Sequence, residues 1–104
     1  MPYIPPLKAE FFKALSHPVR IRVLELLSEG ERSVADLQRG LELEQSHLSQ
    51  QLGVLRRAGL VRSRREGSSV VYSLADPRIA DILTIARLIL LDAVTLTREQ
   101  LASQ

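Results

Sequence analysis

The sequence predicts a mainly α-helical domain with a single β-hairpin ahead of a long last helix, and three observations predict it. Apolar residues recur at helical spacing in a run of short segments between residues 7 and 58. The period drops to two between residues 60 and 74, on either side of Gly67-Ser68. After Asp76-Pro77 the chain is apolar in nearly every helical direction. At 104 residues the whole chain, 1–104, reads as one domain with a modest core.

Taken in order, residues 1–6, ending in Pro5-Pro6, read as an extended N-terminal tail. Leu7, Phe11, Ala14 and Leu15 define a first helix over 7–15. Ser16-His17-Pro18 breaks the chain, and Pro18 suits the first position of a second helix running to Ser28, before Gly30. Ser33-Val34-Ala35-Asp36 has the form of a capping box and opens a third helix, with Val34, Leu37 and Leu41 inward. A tight connection, Leu41-Glu42-Leu43-Glu44, leads to a fourth helix over 45–58, in which Leu48, Leu52 and Leu55 form one narrow apolar stripe. Gly59 stops it. Residues 60–66 and 69–74 alternate as two strands. The last helix, 77–101, then begins at Asp76-Pro77.

That last helix needs cover. Ile82, Leu83, Ile85, Ala86, Ile89, Leu90 and Val94 point in so many directions that a chain of this size cannot bury them all. An intramolecular core helix would need more chain around it, so a second copy is the expected cover and the protein a homodimer.

Charge is unevenly spread. Residues 45–75 hold five arginines (Arg56, Arg57, Arg62, Arg64 and Arg65) against Glu66 alone. The remainder holds nine basic and eleven acidic residues, so the cationic surface is one local stretch made of arginine. A solvated helix face and an exposed hairpin would show the same charge. Arginine, however, is the side chain best suited to phosphates and base edges.

The fourth helix carries Gln45, Ser46, His47, Ser49, Gln50, Gln51, Arg56 and Arg57 on what reads as its outer face. Two helices in tight succession, the second polar outside, describe a helix-turn-helix. Gln, Ser and His reach base edges in the major groove, and Arg holds phosphates. The hairpin adds Arg62, Arg64 and Arg65 before its tip and Ser68 and Ser69 at it, a wing able to grip the neighbouring backbone.

Three stretches, ALSHPVRIRVLELL at 14–27, QSHLSQQLGVLRRAGLV at 45–61 and RREG at 64–67, resemble the ArsR/SmtB-type repressors. The likeness covers about residues 10 to 95. It implies a winged helix-turn-helix in the order helix, helix, helix, helix, strand, strand, helix. It also implies a homodimer that represses; two fourth helices placed by a two-fold dimer on double-stranded DNA then predict an inverted-repeat operator. By the same resemblance the first and last helices, including Leu7 and Phe11, pack the dimer.

The resemblance fails where family members sense metals. Their thiolate ligands lie in a Cys-Val-Cys-Asp context, where this chain has Ser33-Val34-Ala35-Asp36, and the chain contains no cysteine. The other family site uses histidine and carboxylates on the last helix. Here that helix offers Asp76, Asp81, Asp92 and Glu99 without histidine, a poor donor set for borderline metals. No metal and no cofactor is expected. Glu42 and Glu44 stand where the family often has glycine and a serine cap, which predicts a strained or poorly capped turn. His17 is expected to cap and pack, and His47 to contact DNA, with a merely solvated position as its alternative.

An enzyme is not expected: there is no glycine-rich phosphate loop, and Ser46, Ser49 and His47 share one exposed helix face without an oxyanion hole. Two other readings compete. One is a winged-helix module for protein docking, and the other a DNA-binding subunit that takes its signal from a partner protein. The arginine density from Arg56 to Arg65 favours DNA. With no secretory signal pattern and no apolar run long enough to cross a membrane, the expected location is cytoplasmic.

Overall fold

The computed structural model describes residues 6–103. Five helices, α1 (Pro6–Leu15), α2 (Pro18–Leu27), α3 (Val34–Leu41), α4 (Gln45–Arg57) and α5 (Arg78–Ala102), surround a small sheet of β1 (Arg32–Ser33), β2 (Val61–Glu66) and β3 (Ser69–Leu74). Pro6, expected in the tail, already belongs to α1, and the rest of the expected tail lies outside the described residues.

The sheet is antiparallel in the order β1-β3-β2, so β1 is a third strand that the sequence reading did not contain. It pairs Arg32 with Tyr72 and Ser33 with Val71. Two residues cannot display a period, so no pattern in the sequence marks this strand. The hairpin itself runs in register from Val61 opposite Leu74 to Glu66 opposite Ser69. Gly67, at φ +62, supplies the positive φ that a two-residue turn of type II′ requires at its first position.

Helix ends follow their sequence signals. The His17 Nδ1 accepts from the Val19 N–H at 3.1 Å and caps α2. Ser33 Oγ accepts from the Asp36 N–H at 3.1 Å and caps α3, while Asp36 itself pairs with Arg39. Glu42 ends α3 in the left-handed region, φ 53 and ψ 43, a conformation glycine adopts at no steric cost. Glu44 opens α4 without a side-chain cap bond. The α3–α4 turn therefore carries both expected weaknesses. α4 closes with a Schellman arrangement: Gly59 N–H donates to Arg56 O at 3.0 Å and Leu60 N–H to Leu55 O at 2.9 Å.

The core gathers Val23, Leu24 and Leu27 of α2, Leu37 of α3 and Leu48, Leu52 and Leu55 of α4. Leu60, Val61 and Tyr72 close it from the sheet side, and Ala14 and Ile79 from α1 and α5. It ends early along α5. Ile79 is buried and Ile82 and Leu83 are half-buried, but every residue from 84 to 103 is exposed. The protomer measures 60 × 43 × 23 Å, with a radius of gyration of 16.8 Å. A compact chain of this length would have about 13 Å. The excess is the projecting α5. No helix among the described residues is long and apolar enough to cross a membrane.

Candidate nucleic-acid interface

At 100° per residue, the buried stripe Leu48, Leu52 and Leu55 fixes which way every other α4 side chain points. Ser46, Gln50, Gly53 and Arg57 fall on the line farthest from the core. Gln45 and Ser49 turn toward the hairpin, and with Ser68 and Ser69 they line an open cleft of about 510 Å³. Arg56 lies on that same flank. His47 turns the other way, toward the start of α2, where its ring meets that of His17 at 6.4 Å between centroids and an angle of 84°.

Gln51 departs from expectation. It is 6% exposed, and its Oε1 accepts from Arg20 Nη1 at 3.0 Å. It lies three residues after Leu48 and four before Leu55, so it belongs to the buried ridge and not to the outer face. It is therefore buried rather than outward-facing, whereas Gln45, Ser46, His47, Ser49 and Gln50 are all exposed.

The outermost line also holds a residue the sequence reading passed over. A Cβ on Gly53 would meet only the guanidinium of Arg57, at 3.1 Å. The missing side chain leaves room for that guanidinium to lie against the helix. Arg56 and Arg57 stand in the last turn, where cations oppose the negative end of the helix dipole.

The wing arginines are not equivalent. Arg65 pairs with Val70, on the hairpin face that carries Val61, Tyr72 and Leu74 toward the helices. Arg62 and Arg64 occupy the opposite face. Arg64 is engaged within the protein, donating to Glu66 Oε2 at 2.5 Å and Glu31 Oε1 at 2.6 Å, and its pKa is raised chiefly by these hydrogen bonds. No ion pair holds Arg62, Arg65, Arg56 or Arg57 among the described residues, so these cations are available to phosphates.

The surfaces expected to pair protomers are largely open. Leu7 is 86% exposed and Leu90 66%, and Ile85, Ile89 and Val94 are likewise uncovered, as is Ala86. Phe11, Ile82 and Leu83 are exceptions, each half-buried within its own protomer. Among the described residues no group of three or more histidine, aspartate or glutamate side chains is placed to hold a metal ion.

A helix-turn-helix domain model matches residues 15–64. The chain is 60% identical over 85 residues to Rv0081 of Mycobacterium tuberculosis, an uncharacterized HTH-type transcriptional regulator, covering 81% of this chain and 75% of that protein. The crystal structure of Rv0081 superposes with a TM-score of 0.81 at 56% identity, over 86% of this chain and 91% of that one. A probable mercury resistance operon repressor of Streptomyces lividans is 36% identical over 88 residues, 85% of this chain and 70% of that protein. The solution structure of Mb0332 from Mycobacterium bovis is of a homodimeric winged helix-turn-helix DNA-binding domain, a possible ArsR-family regulator. It superposes with a TM-score of 0.79 at 28% identity, over 86% of this chain and 82% of that one.

Proposed function

The chain belongs to the ArsR/SmtB family of winged helix-turn-helix transcriptional regulators, and from that premise we propose that it is a cytoplasmic repressor that binds an inverted-repeat operator as a homodimer. The observation that carries this reading is one pairing of surfaces on a single protomer. An exposed polar line on α4 stands beside unpaired arginines, and an exposed apolar α5 requires a second copy.

In this reading α4 of each protomer enters the major groove, with Gln45, Ser46, His47, Ser49 and Gln50 at base edges. Arg56 and Arg57 hold phosphates beside the groove. Arg62 and Arg65, with Ser68 and Ser69 at the hairpin tip, reach the flanking backbone. The role is binding, with no catalytic step. Ser33 and Ala35 stand where the family's thiolate sensors carry cysteine, so the signal that releases DNA is of another kind, from a partner protein or a small molecule.

Selection of bound duplexes from a random pool tests the proposal. The expected product is an inverted repeat whose half-sites lie about 10 base pairs apart, centre to centre. His47→Ala or Gln50→Ala should cost about 1–3 kcal/mol on that duplex and spare random DNA. Binding of every sequence with wild-type strength by both variants would remove α4 as the reader.

A further inference from the structure

Arg20 joins three elements. Its Nε donates to Ala14 O at 2.7 Å and its Nη2 to Lys13 O at 3.3 Å, both carbonyls at the end of α1. Its Nη1 donates to the buried Gln51 Oε1 in the middle of α4. Gln51 is the one buried polar side chain among the described residues. Carbonyls at a helix end lack partners within the helix and carry the negative end of its dipole, so a guanidinium docks there with charge-assisted bonds.

Apolar contact between α1 and α4 runs through the core, which Ala14 shares with Leu48, Leu52 and Leu55. Beside that contact the two helices flank an open cleft of about 470 Å³, lined by Glu10, Lys13, Ala14, Arg20, Val54, Arg57 and Ala58. The Arg20 fork spans it. One turn before Gln51 on the same side of α4, His47 meets His17, the residue that caps α2. The first turn of α2 therefore grasps α4 at two successive turns and α1 at its end.

We propose that the Arg20–Gln51 bridge is a positioning device that sets the reading helix relative to the dimer-forming helix α1, and thereby the separation of the two half-sites the dimer accepts. This rests on the function proposed above. In that reading α1 faces the partner protomer and α4 faces DNA. A planar fork fixed at three points transmits the placement of one to the other, which a flexible ammonium would not do. Without the acceptor at position 51, α4 keeps its leucine stripe and its side chains but gains freedom to tilt across the cleft.

The test uses the full chain and the inverted repeat selected by the wild type, together with copies whose half-sites are moved one base pair apart or together. Wild type should lose about tenfold or more on either respaced duplex, because misplacing one reading helix forfeits its base contacts. Gln51→Leu should bind the selected duplex more weakly, yet distinguish it from the respaced ones by only about twofold, with random duplex unchanged. Gln51→Glu, which restores an acceptor for Arg20, should recover the wild-type preference. Sedimentation should show dimers throughout.

Wild-type spacing preference in a dimeric Gln51→Leu protein would overturn the inference. So would equal weakening on selected, respaced and random duplexes, which is the signature of a general folding defect. If Gln51→Leu does not fold, Arg20→Lys, which keeps the charge and loses the fork, reads the same coupling with the same two outcomes. Failure of the wild type to select any inverted repeat would defeat the proposed function instead.

Discussion

Arg64 of the wing donates to Glu31, thirty-three residues earlier in the chain, across 2.6 Å. The pair ties the middle of β2 to the residue just before β1, on the hairpin face turned away from α4. A guanidinium already bound to two carboxylates releases fewer counterions from DNA than a free one, because its charge is neutralised in advance.

The wing arginines should therefore separate by salt dependence. Arg65→Ala and Arg62→Ala should each weaken cognate and random duplex alike and flatten the slope of log K against log salt by about 0.9, one phosphate contact. Arg64→Ala should change the slope much less. Equal slopes for all three variants, measured by fluorescence anisotropy from low to moderate salt, would show that the Glu31 pair opens on DNA.

Assembly offers a second prediction. Ile89 and Leu90 stand in the part of α5 where nothing in the protomer covers them. Replacing both with Asp should yield monomers or aggregates, because two charges cannot enter an apolar two-fold interface unpaired. Sedimentation at micromolar concentration should show the wild type as a dimer. A soluble wild-type monomer would contradict the two-fold arrangement.

The α3–α4 turn should be improvable. Glu42→Gly relieves a left-handed residue and should stabilise by about 0.5–1 kcal/mol, net of the added freedom of the unfolded chain. Glu44→Ser supplies the missing N-cap of α4 and should add about 1 kcal/mol. Thermal unfolding followed by circular dichroism should show both variants melting higher, and unchanged melting would mean that the turn is already relaxed.

Asp76 should show its effect in acid. Its carboxylate accepts from the side chain and the backbone N–H of Arg78, and these bonds hold its pKa at about 2, below the ordinary 3.8. A depressed carboxyl pKa contributes stability above the unfolded value and loses it as pH falls through the folded one. The wild type should exceed Asp76→Asn at neutral pH by a small margin, since the pair is exposed, and the margin should vanish between pH 4 and 2. A margin that persists at pH 2 would assign the effect to the start of α5 rather than to charge.

What the sequence shows and hides follows from how local each feature is. The stripe of Leu48, Leu52 and Leu55, the stop at Gly59 and the turn at Gly67 depend on neighbours within a few residues, so they are legible. The uncovered α5 is legible too, because its apolar residues exceed what so short a chain can bury. Gln51 reads as outward on polarity alone, although its spacing from Leu48 and Leu55 places it on the buried ridge, and only the position of Arg20 explains why a glutamine can lie there. The Arg64–Glu31 and His17–His47 pairs join residues about thirty apart, and no local pattern announces them.

The end of α4 bears on how DNA could be released. Leu60 donates its N–H to Leu55 and accepts at its carbonyl from Ala75 N–H at 3.0 Å, so one buried residue fastens α4 to the base of the hairpin. Helix and hairpin cannot then be adjusted one against the other without breaking that junction. On the proposed function, a signal that releases DNA while keeping this junction would swing the two together, as a single jaw, or change the distance between the jaws of the dimer. Inserting a residue beside Leu60 would shift the hairpin, with Arg62, Arg65, Ser68 and Ser69, relative to α4 while deleting none of its side chains.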